Sequence, residues 1–185
     1  MRIIAGKHRG TKLEAPEGVD VRPTSERARE ALFSMIESGR FGDVLRDKPA
    51  LDLFAGTGAL GLEALSRGAS TVTLVESGRA ALEPLRRNAT KLKSPNSVFV
   101  READATRYRE KAKTPAGLIF LDPPYGTGNW RPALLAVEGA GWVDAETLVI
   151  VEVAKKEPVE VPDPFEEVEQ RVYGAARLVL LRKAR

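Results

Sequence analysis

Asp52-Leu53-Phe54-Ala55-Gly56-Thr57-Gly58-Ala59-Leu60-Gly61 decides the fold of this 185-residue chain. The apolar run at residues 50–54 reads as a buried strand, and Leu60, Leu62 and Leu65 carry a helical pattern after it. The glycines between them permit a tight strand-to-helix turn and close approach of a ligand to the backbone. Gly56, Gly58 and Gly61 satisfy the dinucleotide fingerprint in form, and Glu76 stands about where that motif's acid belongs. No Gly-Lys-Ser/Thr follows, so the turn is not a phosphate-binding P-loop. Two ligands remain, NAD(P) and S-adenosylmethionine. A dinucleotide would bring a dianionic pyrophosphate beside the Asp52 carboxylate and be repelled. An ammonium and a sulfonium would be attracted, so Asp52 favours S-adenosylmethionine.

Outward from this turn, strand and helix patterns alternate. Residues 71–75, 97–100, 117–121 and 147–153 read as further strands. Between them lie a helix with Ala81, Leu82, Leu85, Ala89 and Leu92 on one face and another around residues 133–137. Gly68 closes the first helix as a C′ residue. Such alternation predicts an α/β fold, a parallel sheet with helices on both faces. Residues 166–172 and 176–181, joined at Tyr173-Gly174, predict a closing antiparallel hairpin. Toward the N-terminus, Ile3-Ile4, a basic Gly6–Gly10 bend and Leu13 predict a strand or hairpin. Thr24 or Ser25 is then placed to cap a helix whose apolar face runs Ala28, Leu32, Met35, Ile36.

Asp122-Pro123-Pro124-Tyr125 follows the apolar run 118–121. An acid, two prolines and an aromatic at a strand's C-terminal edge form a stiff mouth. The carboxylate only accepts hydrogen bonds, the prolines offer carbonyls without competing N–H groups, and the ring is a face to stack on. That chemistry suits a planar base carrying an NH2 group. A bare surface turn explains the tetrapeptide equally well in isolation. Acids at four strand ends, Asp52, Glu76, Asp104 and Asp122, shift the reading, because open α/β sheets bind ligands at that edge. Glu76 is placed to accept from ribose hydroxyls and Asp104 from the adenine amine.

Composition narrows the classes. The chain has 43% hydrophobic and 30% charged residues and no run of about 18 apolar residues, which predicts a soluble single domain. No signal-peptide core opens it, and a cytoplasmic location is expected. There are no cysteines and one histidine, His8, which excludes disulfides, thiolate catalysis and Cys-based metal sites. A His-rich metal site and a Ser-His-Asp triad are not expected, nor is a metal required. The net charge of +3 is unevenly spread. Residues 1–12 carry four Lys/Arg and no acid, residues 79–113 carry ten against four acids, and residues 138–169 carry ten acids against two lysines. Residues 177–185 carry four bases and no acid. This segregation suits a polyanion held on one side, although the 79–113 stretch also reads as solvated helix faces.

On these motifs the chain resembles the class I S-adenosylmethionine-dependent methyltransferases, and within them the RsmD family of bacterial small-subunit rRNA guanine-N2 methyltransferases. The resemblance covers nearly the whole chain. It includes Arg2-Ile3-Ile4, the Arg22-Pro23-Thr24-Ser25-Glu26-Arg27-Ala28-Arg29-Glu30-Ala31-Leu32-Phe33 segment, residues 52–68, Asp122-Pro123-Pro124-Tyr125 and the Tyr173-Gly174 hairpin. Asp-Pro-Pro-Tyr alone is shared with adenine-N6 methyltransferases, whereas the Arg-Pro-Thr segment joined to the glycine turn is far more specific. Ala5 departs from the family's frequent second glycine, which bears on the hairpin and not on the chemistry.

The resemblance implies a Rossmann-like, seven-stranded, mostly parallel sheet with the last strand antiparallel. It implies one methyltransferase domain, with 1–48 an RNA-contacting extension and 49–185 the catalytic core. Cofactor contacts are implied for Asp52, Phe54, Ala55, Gly56, Thr57, Gly58, Glu76, Ser77, Asp104 and Ala105. Arg2, Lys7, His8, Arg9, Lys12 and Arg22 are candidates for holding RNA. Asp122, Pro123, Pro124 and Tyr125 are the candidate catalytic residues, for direct methyl transfer to the N2 amine of a guanine in 16S rRNA, naked or within an assembling small subunit. The base must be unpaired or flipped to reach them. The rivals are adenine-N6 or protein glutamine methylation, an NAD(P)-dependent oxidoreductase, and a non-catalytic RNA-binding module. The short, proline-containing connection 154–164 is expected to lack a helix.

Overall fold

The apolar runs form seven strands of one sheet in a computed structural model that describes residues 1–18 and 23–185. β1 (Pro49–Leu53), β2 (Thr71–Glu76), β3 (Val98–Glu102), β4 (Leu118–Leu121) and β5 (Leu148–Ala154) are parallel. β6 (Phe165–Tyr173) and β7 (Ala176–Lys183) form the closing hairpin, and the order is β3-β2-β1-β4-β5-β7-β6. β7 is inserted antiparallel between β5 and β6, as expected. The reversal of strand order between β1 and β4 opens a crevice at their C-terminal ends, where such sheets bind ligands.

The central strands divide their side chains between two cores, as a period of two dictates. Ala50, Leu74, Phe120, Ile150 and Leu180 face α1 (Pro23–Glu37), α2 (Ala59–Ser66) and α3 (Arg79–Lys91). Phe33 of α1 meets Phe120 with ring centroids 5.9 Å apart. Ile3 and Leu13 of the N-terminal segment join the same core as Leu32, Phe33 and Ile36 of α1, so both are part of the packed body. Leu51, Leu53, Ile119, Leu121, Val149 and Val151 face α4 (Trp130–Gly139), Tyr108 and Trp142.

Among the described residues, the second face carries one α-helix. Between β3 and β4 stands a single 3₁₀ turn, Ala105–Arg107, because residues 106–113 have no apolar stripe to bury. The 154–164 connection likewise forms no helix. Gly61 seats α2 on the sheet: a Cβ there would come within 2.5 Å of Leu74 Cδ2 and 3.0 Å of Asp52 Cβ. Arg22 and the side chains of the expected caps, Thr24 and Ser25, lie outside the described part. Among the described residues, no helix is long and apolar enough to cross a membrane.

Candidate functional site

Strand register assembles the site. Asp52 pairs with Phe120 and Phe120 with Ile150, so the three share one face. Two residues further along β4 and β5, Asp122 and Glu152 project to that same face just beyond the last pair, Leu121 and Val151. The three carboxylates line one cavity of about 540 Å³. Its other walls are Phe54 to Thr57 of the glycine turn, Ala28, Arg29 and Leu32 of α1, and Tyr173 to Ala176 of the β6–β7 turn.

Burial governs the charges here. Asp52 is 1% exposed and its Oδ2 accepts the Gly61 N–H at 2.9 Å. Desolvation raises its pKa to about 8; the Gly61 hydrogen bond opposes the rise and the Glu76 charge adds to it. Asp122 is pushed well above the usual carboxylate range, by burial first and then by the charges of Glu152 and Asp52. Its carboxylate accepts no hydrogen bond from the described residues. Glu152 Oε1 accepts the Tyr125 hydroxyl at 2.7 Å, which holds that half-exposed ring beside the cavity. Pro123 is buried, Pro124 is exposed, and the Pro124 carbonyl accepts the Thr127 hydroxyl at 2.8 Å, which closes the loop. Arg29 also shares the cavity wall, but its guanidinium bonds the Arg2 carbonyl and lies 3.6 Å from Glu63.

The glycine turn is held from behind. Phe54 adopts φ 64°, a costly conformation for an aromatic, and Gly56 follows at φ 56°. A Cβ on Gly56 would meet nothing within 4 Å, so open space lies against this backbone. Glu76 Oε2 accepts the Gly56 N–H at 2.8 Å, while Oε1 accepts from Ser77 and Gly78. Two bonds fill Oε1, so Glu76 has room for one ribose hydroxyl on Oε2. Asp104 uses Oδ1 for the Thr106 N–H and hydroxyl, which hold its pKa low, and Oδ2 takes no bond from the described residues. Glu76, Ser77, Asp104 and the buried Ala105 are not in the main cavity but stand beyond the turn, at the ends of β2 and β3. Gly58 is also off the cavity; its φ of 81° turns the chain into α2.

Three anchoring residues were not legible as such. Glu63, fully buried on α2, accepts the N–H groups of Ile4 and Ala5 at 2.9 and 3.1 Å and pairs with Arg67 at 2.7 Å. Ser66 Oγ donates to the Ala5 carbonyl and accepts the His8 N–H. Asn88, fully buried on α3, bonds both backbone groups of Glu14 and the Thr57 carbonyl of the glycine turn. One charge in the otherwise apolar α2 was the available signal for Glu63. Glu152 is a fourth such residue; a lone charge inside the otherwise apolar β5 was the available signal. The N-terminal segment forms a bent loop with one antiparallel bridge, Arg2 to Lys12, on which Lys7, Arg9 and Lys12 are exposed. Arg2 stands 3.8 Å from Glu26, and His8 is half-buried with its pKa lowered by burial and by Lys7.

A cavity walled by three carboxylates and open glycine backbone fits a cationic group far better than a pyrophosphate. Comparison with known proteins agrees. The family described as Conserved hypothetical protein 95 matches residues 1–182. Ribosomal RNA small subunit methyltransferase D of Escherichia coli K12 is 40% identical over 152 residues, 82% of this chain and 74% of that one. Putative rRNA methyltransferase YlbH of Bacillus subtilis is 31% identical over 189 residues, 99% of each chain. The solved structure of putative methyltransferase yhhF from Escherichia coli superposes with TM-score 0.83 at 36% identity, covering 99% of this chain and 97% of that one.

Proposed function

The chain belongs to the Conserved hypothetical protein 95 family, and from that premise we propose that it methylates the exocyclic N2 amine of a guanine in small-subunit ribosomal RNA with S-adenosylmethionine as donor. The observation that carries this reading is the convergence of Asp52, Asp122 and Glu152 on one cavity bounded by the glycine turn. When bound, S-adenosylmethionine supplies a methyl group activated on a sulfonium. Asp52 and the backbone of Phe54, Ala55, Gly56 and Thr57 would hold its charged portion, and Gly58 would turn the chain into α2 behind them. Glu76 Oε2 would take a ribose hydroxyl, and Ser77, Asp104 and Ala105 would form the adenine end.

An aromatic amine is a poor nucleophile because its lone pair is delocalised into the ring. Asp122 and the Pro123 carbonyl would each accept one N2–H, which favours a pyramidal nitrogen. As the nitrogen becomes positive, the Asp122 carboxylate stabilises that charge and takes the surplus proton. Tyr125 would stack on the base and Pro124 would stiffen its loop. Lys7, Arg9 and Lys12, with Arg2, His8 and Arg22, would meet phosphates of the RNA, as naked chain or within an assembling subunit.

Three measurements test this. Mapping methylated bases in rRNA from cells with and without the gene should show one guanine losing its N2 methyl group. Asp122→Ala should lower methyl transfer at least about 100-fold while S-adenosylhomocysteine still binds. Normal transfer by that variant would remove Asp122 from the chemistry. Thermal stabilisation by NAD(P) alone would replace the reading with a dehydrogenase.

A further inference from the structure

Guanine's Watson–Crick edge carries three N–H bonds, two on N2 and one on N1. Asp122 and the Pro123 carbonyl account for the two on N2. A base enclosed in the cavity leaves N1–H in need of an acceptor, because a buried donor without a partner is costly. Glu152 is in place to be that acceptor. It lies on the strand next to Asp122, on the same face, and lines the same cavity. Its Oε1 holds the Tyr125 hydroxyl at 2.7 Å, and a carboxylate has acceptor positions left on its second oxygen.

We propose that Glu152 is a specificity-determining residue that accepts N1–H of the target guanine while Asp122 accepts from N2, so that carboxylates on neighbouring strands read the base edge together. The inference rests on the cavity being the base pocket of the reaction proposed above. Adenine presents a bare N1 acceptor at the corresponding place, and a carboxylate facing it gains no hydrogen bond and is left desolvated. Guanine is thereby selected by acceptors the protein already holds. The unmatched state of the pair supports this. Burial and the Glu152 charge both act on Asp122, whose carboxylate has no donor among the described residues. Two carboxylates in such a place favour a ligand that brings donors between them.

The test uses rRNA substrate carrying either guanine or 2-aminopurine at the mapped position. 2-Aminopurine keeps the N2 amine but has an acceptor at N1 in place of N–H. The wild-type enzyme should prefer guanine by on the order of 100-fold in kcat/KM, the effect of one lost charged hydrogen bond in a closed site. Glu152→Gln can donate to that N1. It should lose activity on guanine and lose little on 2-aminopurine, bringing the ratio within about tenfold. Equal losses on both substrates, or an unchanged ratio, overturn the proposal. So does Tyr125→Phe if it narrows the ratio as much, since Glu152 would then act only through the ring. Unchanged melting and S-adenosylhomocysteine binding show that each variant is folded. Failure of the wild type to methylate guanine at all sinks the underlying reaction, a separate outcome.

Discussion

Asp52 shows how one side chain couples stability to ligand chemistry. Its pKa of about 8 has burial as the main cause. In the unfolded chain an aspartate sheds its proton near about 4. Between about 4 and 8 the folded chain therefore binds more protons than the unfolded one. Stability from this group is full below that window and falls as pH rises through it. Asp52→Asn keeps an oxygen for the Gly61 N–H and loses the charge. We expect the variant to melt several degrees above wild type at pH 9, with the gap closing toward pH 4. A pH series of thermal melts reads this directly, and a gap independent of pH would mean that folding leaves the pKa of this carboxylate unshifted. The same carboxylate should make S-adenosylmethionine binding release protons at pH 7, because a cation favours its ionised form. Calorimetry in two buffers of different ionisation enthalpy counts them, and the variant should release fewer.

At the scale of elements, α2 docks the N-terminal segment through Glu63. That carboxylate is fully buried, takes two backbone N–H groups and lies between Arg67 and Arg29. Removing its charge leaves buried guanidinium groups short of a counterion, at a cost of about 3–5 kcal/mol. Urea denaturation of Glu63→Gln should show a loss of that size, and the Ile4 and Ala5 amides should exchange faster. A loss under about 1 kcal/mol with slow exchange would mean that burial of Ile3 and Leu13 docks the segment unaided. The strands themselves were legible. Each is a short apolar run closed by turn residues, and the expected spans differ from the observed ones by a residue or two, as at Pro49–Leu53 and Val98–Glu102. The glycine turn and the Asp122 mouth were legible because their chemistry is local in sequence. Glu63, Asn88 and Glu152 were not, because each acts on partners far along the chain. Glu63 reaches Ala5 across 58 residues, and Asn88 reaches Glu14 across 74. Periodicity places such a residue on an element but says nothing of what that element meets.

Across the whole molecule, the sequence's charge segregation becomes a spatial one. The basic stretch 79–113 includes α3 and β3, at one end of the sheet. The acidic stretch 138–169 includes β5 and most of β6, toward the other. The basic C-terminal strand is inserted beside the acids, where Lys183 pairs with Glu138 at 2.8 Å and Arg185 with Glu146 at 3.6 Å. Part of the 79–113 stretch is also paired: Arg86 with Glu102, Arg87 and Lys91 with Glu14, and Arg101 with Glu110. The N-terminal segment adds exposed cations at Lys7, Arg9 and Lys12, with no acid among residues 1–12. Because Asn88 ties Glu14 to the Thr57 carbonyl, that segment is fastened to the same turn that bounds the cavity. A phosphate backbone lying along it would be delivered to the site. Each phosphate contact contributes roughly 0.7–0.9 to the slope of log K against log salt. Replacing Lys7, Arg9 and Lys12 by glutamine should flatten that slope by about 2–3, while replacing Lys183 and Arg185 should leave it in place. Fluorescence anisotropy on a labelled rRNA fragment over a salt series measures both. An unchanged slope in the first variant, or an equal drop in the second, would move the RNA path off the N-terminal segment.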